Sequence, residues 1–123
     1  MRIVFDTNFI MTCIKQKIDF IYELEGHELL LPKQVIKELE KIVEDKKKKF
    51  EERELARTSL MFIKSFRNRF KEIELERKFV DRGLERLEGV DIIATLDKAL
   101  HKKLRGKFKF LVVTKRKKLE IIN

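Results

Sequence analysis

The sequence predicts an α/β fold with a mostly parallel central sheet and helices on both of its faces. Three observations predict it. Short apolar runs alternate with amphipathic helical stretches along the chain. Parallel neighbours need crossover connections of about a dozen residues, and those helical stretches supply them. A chain of 123 residues with 43% hydrophobic content holds enough apolar material for one core and too little for two ordinary domains, so one domain over residues 1–123 is expected.

The elements follow in order. Ile3, Val4 and Phe5 read as a short buried strand ending at Asp6, and Thr7-Asn8 supply cap chemistry for a helix through Phe9, Ile10 and Ile14. A second helical piece around Phe20, Ile21 and Leu24 stops at Gly26, and Glu28 to Leu31 is apolar enough for another strand. Pro32 sits where proline is favoured, at a helix start, and Val35, Leu39, Ile42 and Val43 share one face, with Glu38 at its border and turned partly inward. Lys46 to Lys49 is read as a solvated helical face. From Phe50 to Phe70 a long helix is expected, with Leu55, Ser59, Phe62, Ile63, Phe66 and Phe70 directed into the core. Ile73 to Leu75 reads as a brief strand, Asp81 precedes a short helix carrying Leu84 and Leu87, and Gly89 closes it. Val90 to Thr95 is a further strand, Asp97 opens a helix with Leu100 and Leu104, and Gly106 ends that helix before a final strand near Phe108 to Thr114.

Charge is unevenly placed. The formal net charge is +9; residues 98–123 hold ten Lys/Arg against Glu120 alone, so this segment carries the whole excess. Such an asymmetry suggests a polyanion along one end of the fold, bound in a salt-dependent way, with nucleic acid the obvious partner. The single cysteine, Cys13, excludes an internal disulfide and a thiolate metal cage and suits a small buried side chain. Asp6 interrupts the opening apolar run before a signal-peptide core forms, and no apolar stretch approaches membrane-spanning length, so a soluble cytoplasmic protein is expected.

The acids form the most informative constellation. In an open parallel sheet, ligands bind beyond the carboxyl ends of the strands. Asp6 and Asp97 occupy such positions, and Glu38 and Asp81 lie near helix starts close to that region. Each acid taken alone is also readable as a helix cap or a surface residue. Asp6 stands apart, because the junction of a buried strand and a buried helix is a costly place for an unpaired charge. Four converging carboxylates would repel one another unless hard divalent cations neutralised them, and an oxygen-only donor set points to Mg²⁺ or Mn²⁺ rather than zinc. His27, in a loop, and His101, on a basic helix, are poor ligand candidates. No Gly-rich phosphate loop, G-x-S-x-G or Cys/His pairing is present.

The stretches IVFDTNFIM, LLLPKQVIKELEKI and IIATLDKALHKKLRG, in that order, resemble the motifs of the PIN-domain nucleases across essentially the whole chain. Within that family the chain looks most similar to small archaeal and eukaryotic members associated with ribosomal RNA processing; antitoxin-paired toxin nucleases share the same fold and acids. The resemblance implies a three-layer α/β/α sandwich and Mg²⁺- or Mn²⁺-dependent endoribonuclease activity. Asp6 matches the first acid, Glu38 the second in the pattern Val35, Glu38, Leu39, and Asp97 the last in T-x-D; Asn8 and Thr95 match polar residues that line or brace the site. The third acid has two contenders. Val80-Asp81-Arg82-Gly83 departs from the usual V-D-D-A-like helix start, and an alternative alignment uses Asp91, which would leave Lys115 and Arg116 where the last acid belongs.

On the preferred reading Asp6, Asp81 and Asp97 bind the metal, and Glu38 is a further ligand or orients the attacking water. Lys98, Lys102, Lys103, Arg105 and the run Lys115, Arg116, Lys117 and Lys118 then hold the RNA backbone without reading its sequence. The expected substrate is a ribosomal RNA precursor, with a homodimer or a ribosome-assembly partner helping to select it. A toxin-type ribonuclease and a catalytically degenerate RNA-binding module are the competing readings.

Overall fold

The computed structural model describes residues 1–75 and 88–123. Strand β1 (Arg2–Phe5) leads into α1 (Thr7–Lys15) and the one-turn helix α2 (Phe20–Glu23). Strand β2 (Glu28–Pro32) leads into α3 (Lys33–Glu44), α4 (Phe50–Ser65), a 3-10 turn at Arg67–Arg69 and β3 (Phe70–Ile73). Then come β4 (Ile92–Ala94), α5 (Lys98–Leu104), β5 (Lys109–Val113) and β6 (Leu119–Ile122). Asp81, Leu84 and Leu87 lie outside the described residues.

The strands form one sheet in the order β3-β2-β1-β4-β5-β6. The first five run parallel, and β6 returns antiparallel to β5. Successive side chains of a strand face opposite sides, so each strand feeds two cores. Ile3, Phe5, Leu29, Leu31, Ile92, Ala94 and Leu111 pack against α1 to α4 on one face. Val4, Leu30, Ile93 and Phe110 meet Leu100 and Leu104 of α5 on the other. This is the expected three-layer α/β/α arrangement. Burial on both faces explains why the central strands read as continuous apolar runs rather than alternating ones.

The chain leaves β1 towards β2, whereas it leaves β4 towards β5, yet β1 and β4 are neighbours with Ile3 opposite Ile92 and Phe5 opposite Ala94. The strand order therefore reverses between them, and a crevice opens at their carboxyl ends.

The structure corrects several expectations. The long helix ends at Ser65, not Phe70. Phe66 has φ −112° and ψ 26°, its N–H is shared between Ile63 O and Phe62 O, and a 3-10 turn follows. The next strand accordingly starts at Phe70, three residues before the expected Ile73. The phenylalanines of this stretch divide: Phe62 and Phe70 are half-buried and pack against the core, as expected, whereas Phe66 and Phe50 are 38% and 70% exposed. The fully buried residues of α4 are the expected Ser59 and Ile63 together with Ala56, two of the three small enough for close approach to α3 and α1. Lys46 to Lys49 belong to an exposed turn rather than a helical face, set by Asp45, whose side chain accepts from Lys47 N at 3.0 Å. Strand β6 was not foreseen. Its hairpin closes through Thr114, with Thr114 N–H donating to Lys118 O at 2.8 Å and Lys117 in the left-handed region at φ 60°.

Candidate active site

Asp6 follows β1 directly and caps α1. Its backbone N–H extends the ladder to Ala94 O at 3.1 Å, and its Oδ1 accepts the Phe9 N–H at 2.7 Å. This is ordinary N-cap chemistry. The other carboxylate oxygen leaves the helix and accepts a hydrogen bond from the Thr95 hydroxyl, on the residue after β4. Thr95 is wholly buried, and its Oγ1 also accepts the Asp97 N–H at 3.2 Å. One hydroxyl thus ties the loops after β1 and β4 together across the crevice.

Asp97 is exposed and caps α5, its Oδ1 accepting the N–H groups of Ala99 and Leu100 at 2.9 and 3.3 Å. Glu38 comes from α3. As a residue it is exposed, yet its side chain reaches partly inward, as its place beside the apolar stripe suggested: its Oε2 accepts from the hydroxyl of buried Thr7 at 2.7 Å. The structure therefore brings Asp6, Glu38 and Asp97 to the carboxyl end of the sheet, from three separate parts of the sequence. Asn8 lies on the first turn of α1 between Thr7 and Phe9, exposed to solvent.

Burial pushes the half-buried Asp6 carboxyl above its ordinary value, and the charges of Asp97 and Glu38 push it the same way. The hydrogen bonds from Thr95 and from the Phe9 N–H pull it down without overcoming that sum. Ionising Asp6 therefore costs more than ionising a free carboxyl, and nearby positive charge would offset that cost. The donors are oxygens only, suiting a hard cation. Among the described residues, however, no three His, Cys, Asp or Glu side chains stand close enough together to grip an ion.

The contenders for the third acid are differently placed. Asp81 lies outside the described residues. Asp91 stands at the start of β4, where its carboxylate accepts the Arg2 N–H at 2.8 Å. That is the opposite end of the sheet from Asp6, about 13 Å away along four strand residues.

The basic residues also divide. Lys98 begins α5 beside Asp97, and Lys115 to Lys118 form the exposed hairpin turn beyond β5, so both lie at the carboxyl edge. Helix α5 then runs back along the sheet, carrying Lys102 and Lys103 away from the carboxylates. Arg105 is at the far edge, in a cavity it shares with Asp91 and Lys109. Its closeness to Asp97 in sequence is undone by a helix antiparallel to the strands.

Two supporting residues escaped sequence reasoning. Thr7 looked like turn chemistry but holds Glu38. His101 looked like an exposed residue on a basic helix; it is half-buried, its ring 4.4 Å from that of Phe110 and its Nε2 2.9 Å from Thr95 O. Its position one helical turn after Asp97, on the side towards the sheet, was the available signal. His27 lies in the turn before β2, at the edge of the sheet away from the acids.

The strand order thus reverses at the edge where Asp6 and Asp97 stand, the edge at which open α/β sheets bind their ligands. The chain belongs to the PIN-domain family: residues 3–118 match the family described as the PIN-like domain. It is 30% identical over 130 residues to Ribonuclease VapC4 of Methanocaldococcus jannaschii, an alignment covering 98% of this chain and 95% of that protein.

Proposed function

We propose that this protein is a divalent-metal-dependent endoribonuclease that hydrolyses RNA phosphodiester bonds at the carboxyl ends of β1 and β4. The observation that carries this reading is the half-buried Asp6 carboxylate, held at the switch point with Glu38 and Asp97 near enough to oppose its ionisation. The full-length likeness to a protein named a ribonuclease supports the substrate class.

Asp6 and Asp97, with Asp81 from outside the described residues, are the proposed holders of Mg²⁺ or Mn²⁺. When bound, such an ion supplies a water of lowered pKa and offsets charge developing on the phosphate. The chain's own residues do the positioning. Thr95 fixes the rotamer of Asp6 while receiving the Asp97 N–H, so both carboxylates are set before substrate arrives. Thr7 holds Glu38, which is placed to accept a proton from, or orient, the attacking water. Lys98 and the Lys115 to Lys118 turn flank the same edge and hold the backbone of the RNA.

Between the two biological branches, the relative named a VapC ribonuclease favours an antitoxin-controlled ribonuclease over ribosomal RNA processing. A labelled structured RNA incubated with Mn²⁺, Mg²⁺ or EDTA tests the chemistry. Fragments with 5′-phosphate and 3′-hydroxyl ends, formed with either metal and absent in EDTA, are expected; uncut RNA under all three conditions, or equal cutting in EDTA, overturns it. Co-purification of a small protein encoded beside this chain, with loss of cleavage in the complex, is the outcome that selects the antitoxin branch.

A further inference from the structure

Lys98 and Lys102 stand one helical turn apart on α5, Arg105 follows directly where the helix ends at Leu104, and all three are exposed. Leu100 and Leu104 bury the other side of the helix. This line of cations starts beside Asp97 and ends at a cavity of about 560 Å³ on the opposite edge of the sheet, lined by Val90, Asp91, Arg105, Lys107, Phe108 and Lys109 among others. Three of those side chains are cationic and one is acidic. The carboxylate of Asp91 is already engaged by the Arg2 N–H, and neither Arg105 nor Lys109 has an ion-pair partner among the described residues. Like charges gathered in a concave site repel one another and concentrate anions there.

We propose that this far-edge cavity is a second anchoring site for the RNA backbone, reached by a strand that leaves the carboxylates and follows α5. The proposal rests on the ribonuclease reading. Seven residues of α5 span about 10 Å, with Lys102 about 6 Å along the axis from Lys98 and Arg105 just past the far end. At 3.4 Å per nucleotide in a stacked strand, the cavity engages phosphates roughly three nucleotides or more from the bond that is cut. An acidic polypeptide is the rival occupant. The unbroken line of cations to the active-site edge favours the nucleic acid, since a protein partner confined to the cavity has no use for it.

The test is the salt dependence of binding of a labelled 20-nucleotide single-stranded RNA, measured in EDTA so that nothing is cut. The native chain is compared with a triple variant, Lys102→Gln, Arg105→Gln and Lys109→Gln, whose altered side chains are all exposed. With a slope of about 0.7 per phosphate contact in single strands, losing three contacts flattens the log–log plot by about 2. Raising salt from 50 to 200 mM then costs the native chain roughly twentyfold more affinity than the variant. A control pair in the α3–α4 turn, Lys46→Gln with Lys47→Gln, leaves the slope unchanged. Native binding with an unaltered slope in the triple variant overturns the second anchor and leaves the ribonuclease reading standing; no RNA binding by the native chain overturns both. A slope change reproduced in full with poly-glutamate in place of RNA assigns the cavity to an acidic polypeptide and also overturns the proposal.

Discussion

Asp6→Asn should make the metal-free protein more stable while abolishing its activity. The Asn side chain keeps an oxygen for the Phe9 N–H, now 2.7 Å from Asp6 Oδ1, and its amide can donate to the Thr95 hydroxyl in place of the present bond. Each of these two bonds is weakened by about 1 kcal/mol when the charge is lost. Against that stands the burial of an ionised carboxylate, which costs several kcal/mol when complete, together with repulsion from Asp97 and Glu38. The raised position of the Asp6 carboxyl shows which side wins. We expect a net gain of about 1 kcal/mol at neutral pH, or roughly 4 °C in Tm for a chain of this size. The pH dependence follows in sign. A carboxyl raised above 3.8 favours the fold when protonated, so its contribution is present below that value and lost as pH rises through the shifted one. The advantage of the Asn variant is therefore near zero at about pH 4 and grows towards neutrality. Mn²⁺ at about a hundred times its Kd adds about 2.7 kcal/mol to the native chain, and the variant gains far less. Differential scanning calorimetry in EDTA and in Mn²⁺ reads all of this. A variant several degrees less stable than the native chain at pH 7 in EDTA, or a difference that does not change with pH, refutes the reasoning.

Three other perturbations have definite outcomes. Thr95→Val removes a wholly buried hydroxyl that serves both Asp6 and the Asp97 N–H, and should cost about 1.5–3 kcal/mol in urea unfolding at pH 7. Phe20→Ala empties the middle of an aromatic cluster in which Phe20 meets Phe5, Phe9, Phe62 and Phe70, and should cost about 3–5 kcal/mol by the same method. Cys13 is buried, and burial together with the charge of Glu23 pushes its thiol up to about 12. It should resist a thiol reagent at pH 8 until urea unfolds the chain, which a colorimetric thiol assay shows directly.

Much of the fold was legible because the central strands are buried on both faces. Ile3 to Phe5, Leu29 to Leu31 and Ile92 to Ala94 are unbroken apolar runs with helical patterns between them. The edges were harder. In β3 the exposed Lys71 and Glu72 are flanked by half-buried residues, and β6 shows the same half-exposed pattern after a basic turn, so neither has the apolar signature of an interior strand. Asp6 and Asp97 could be found because each follows a buried strand. Glu38 was separated from Glu40 and Glu44 only by its place at the border of the apolar face, and all three are exposed; the Thr7 hydroxyl that holds it is a contact made only once α1 and α3 have packed. The distance of Arg105 from the acids was not legible either. Eight residues from Asp97 in sequence, this residue is at the other edge of the sheet, because helical rise in the reverse direction is invisible in a list of charges.

The placement of the active site at the carboxyl ends of β1 and β4 is tested most directly by Mn²⁺-dependent cleavage of one labelled RNA by the native chain and four single variants: Asp6→Asn, Asp97→Asn, Asp81→Asn and Asp91→Asn. Loss of cleavage by a hundredfold or more, on the order seen when a group acting on a reacting phosphate is removed, is expected for the first three. Asp91→Asn should cut at the native rate. An inactive Asp91→Asn beside an active Asp97→Asn would contradict the account and move the chemistry to the other end of the sheet.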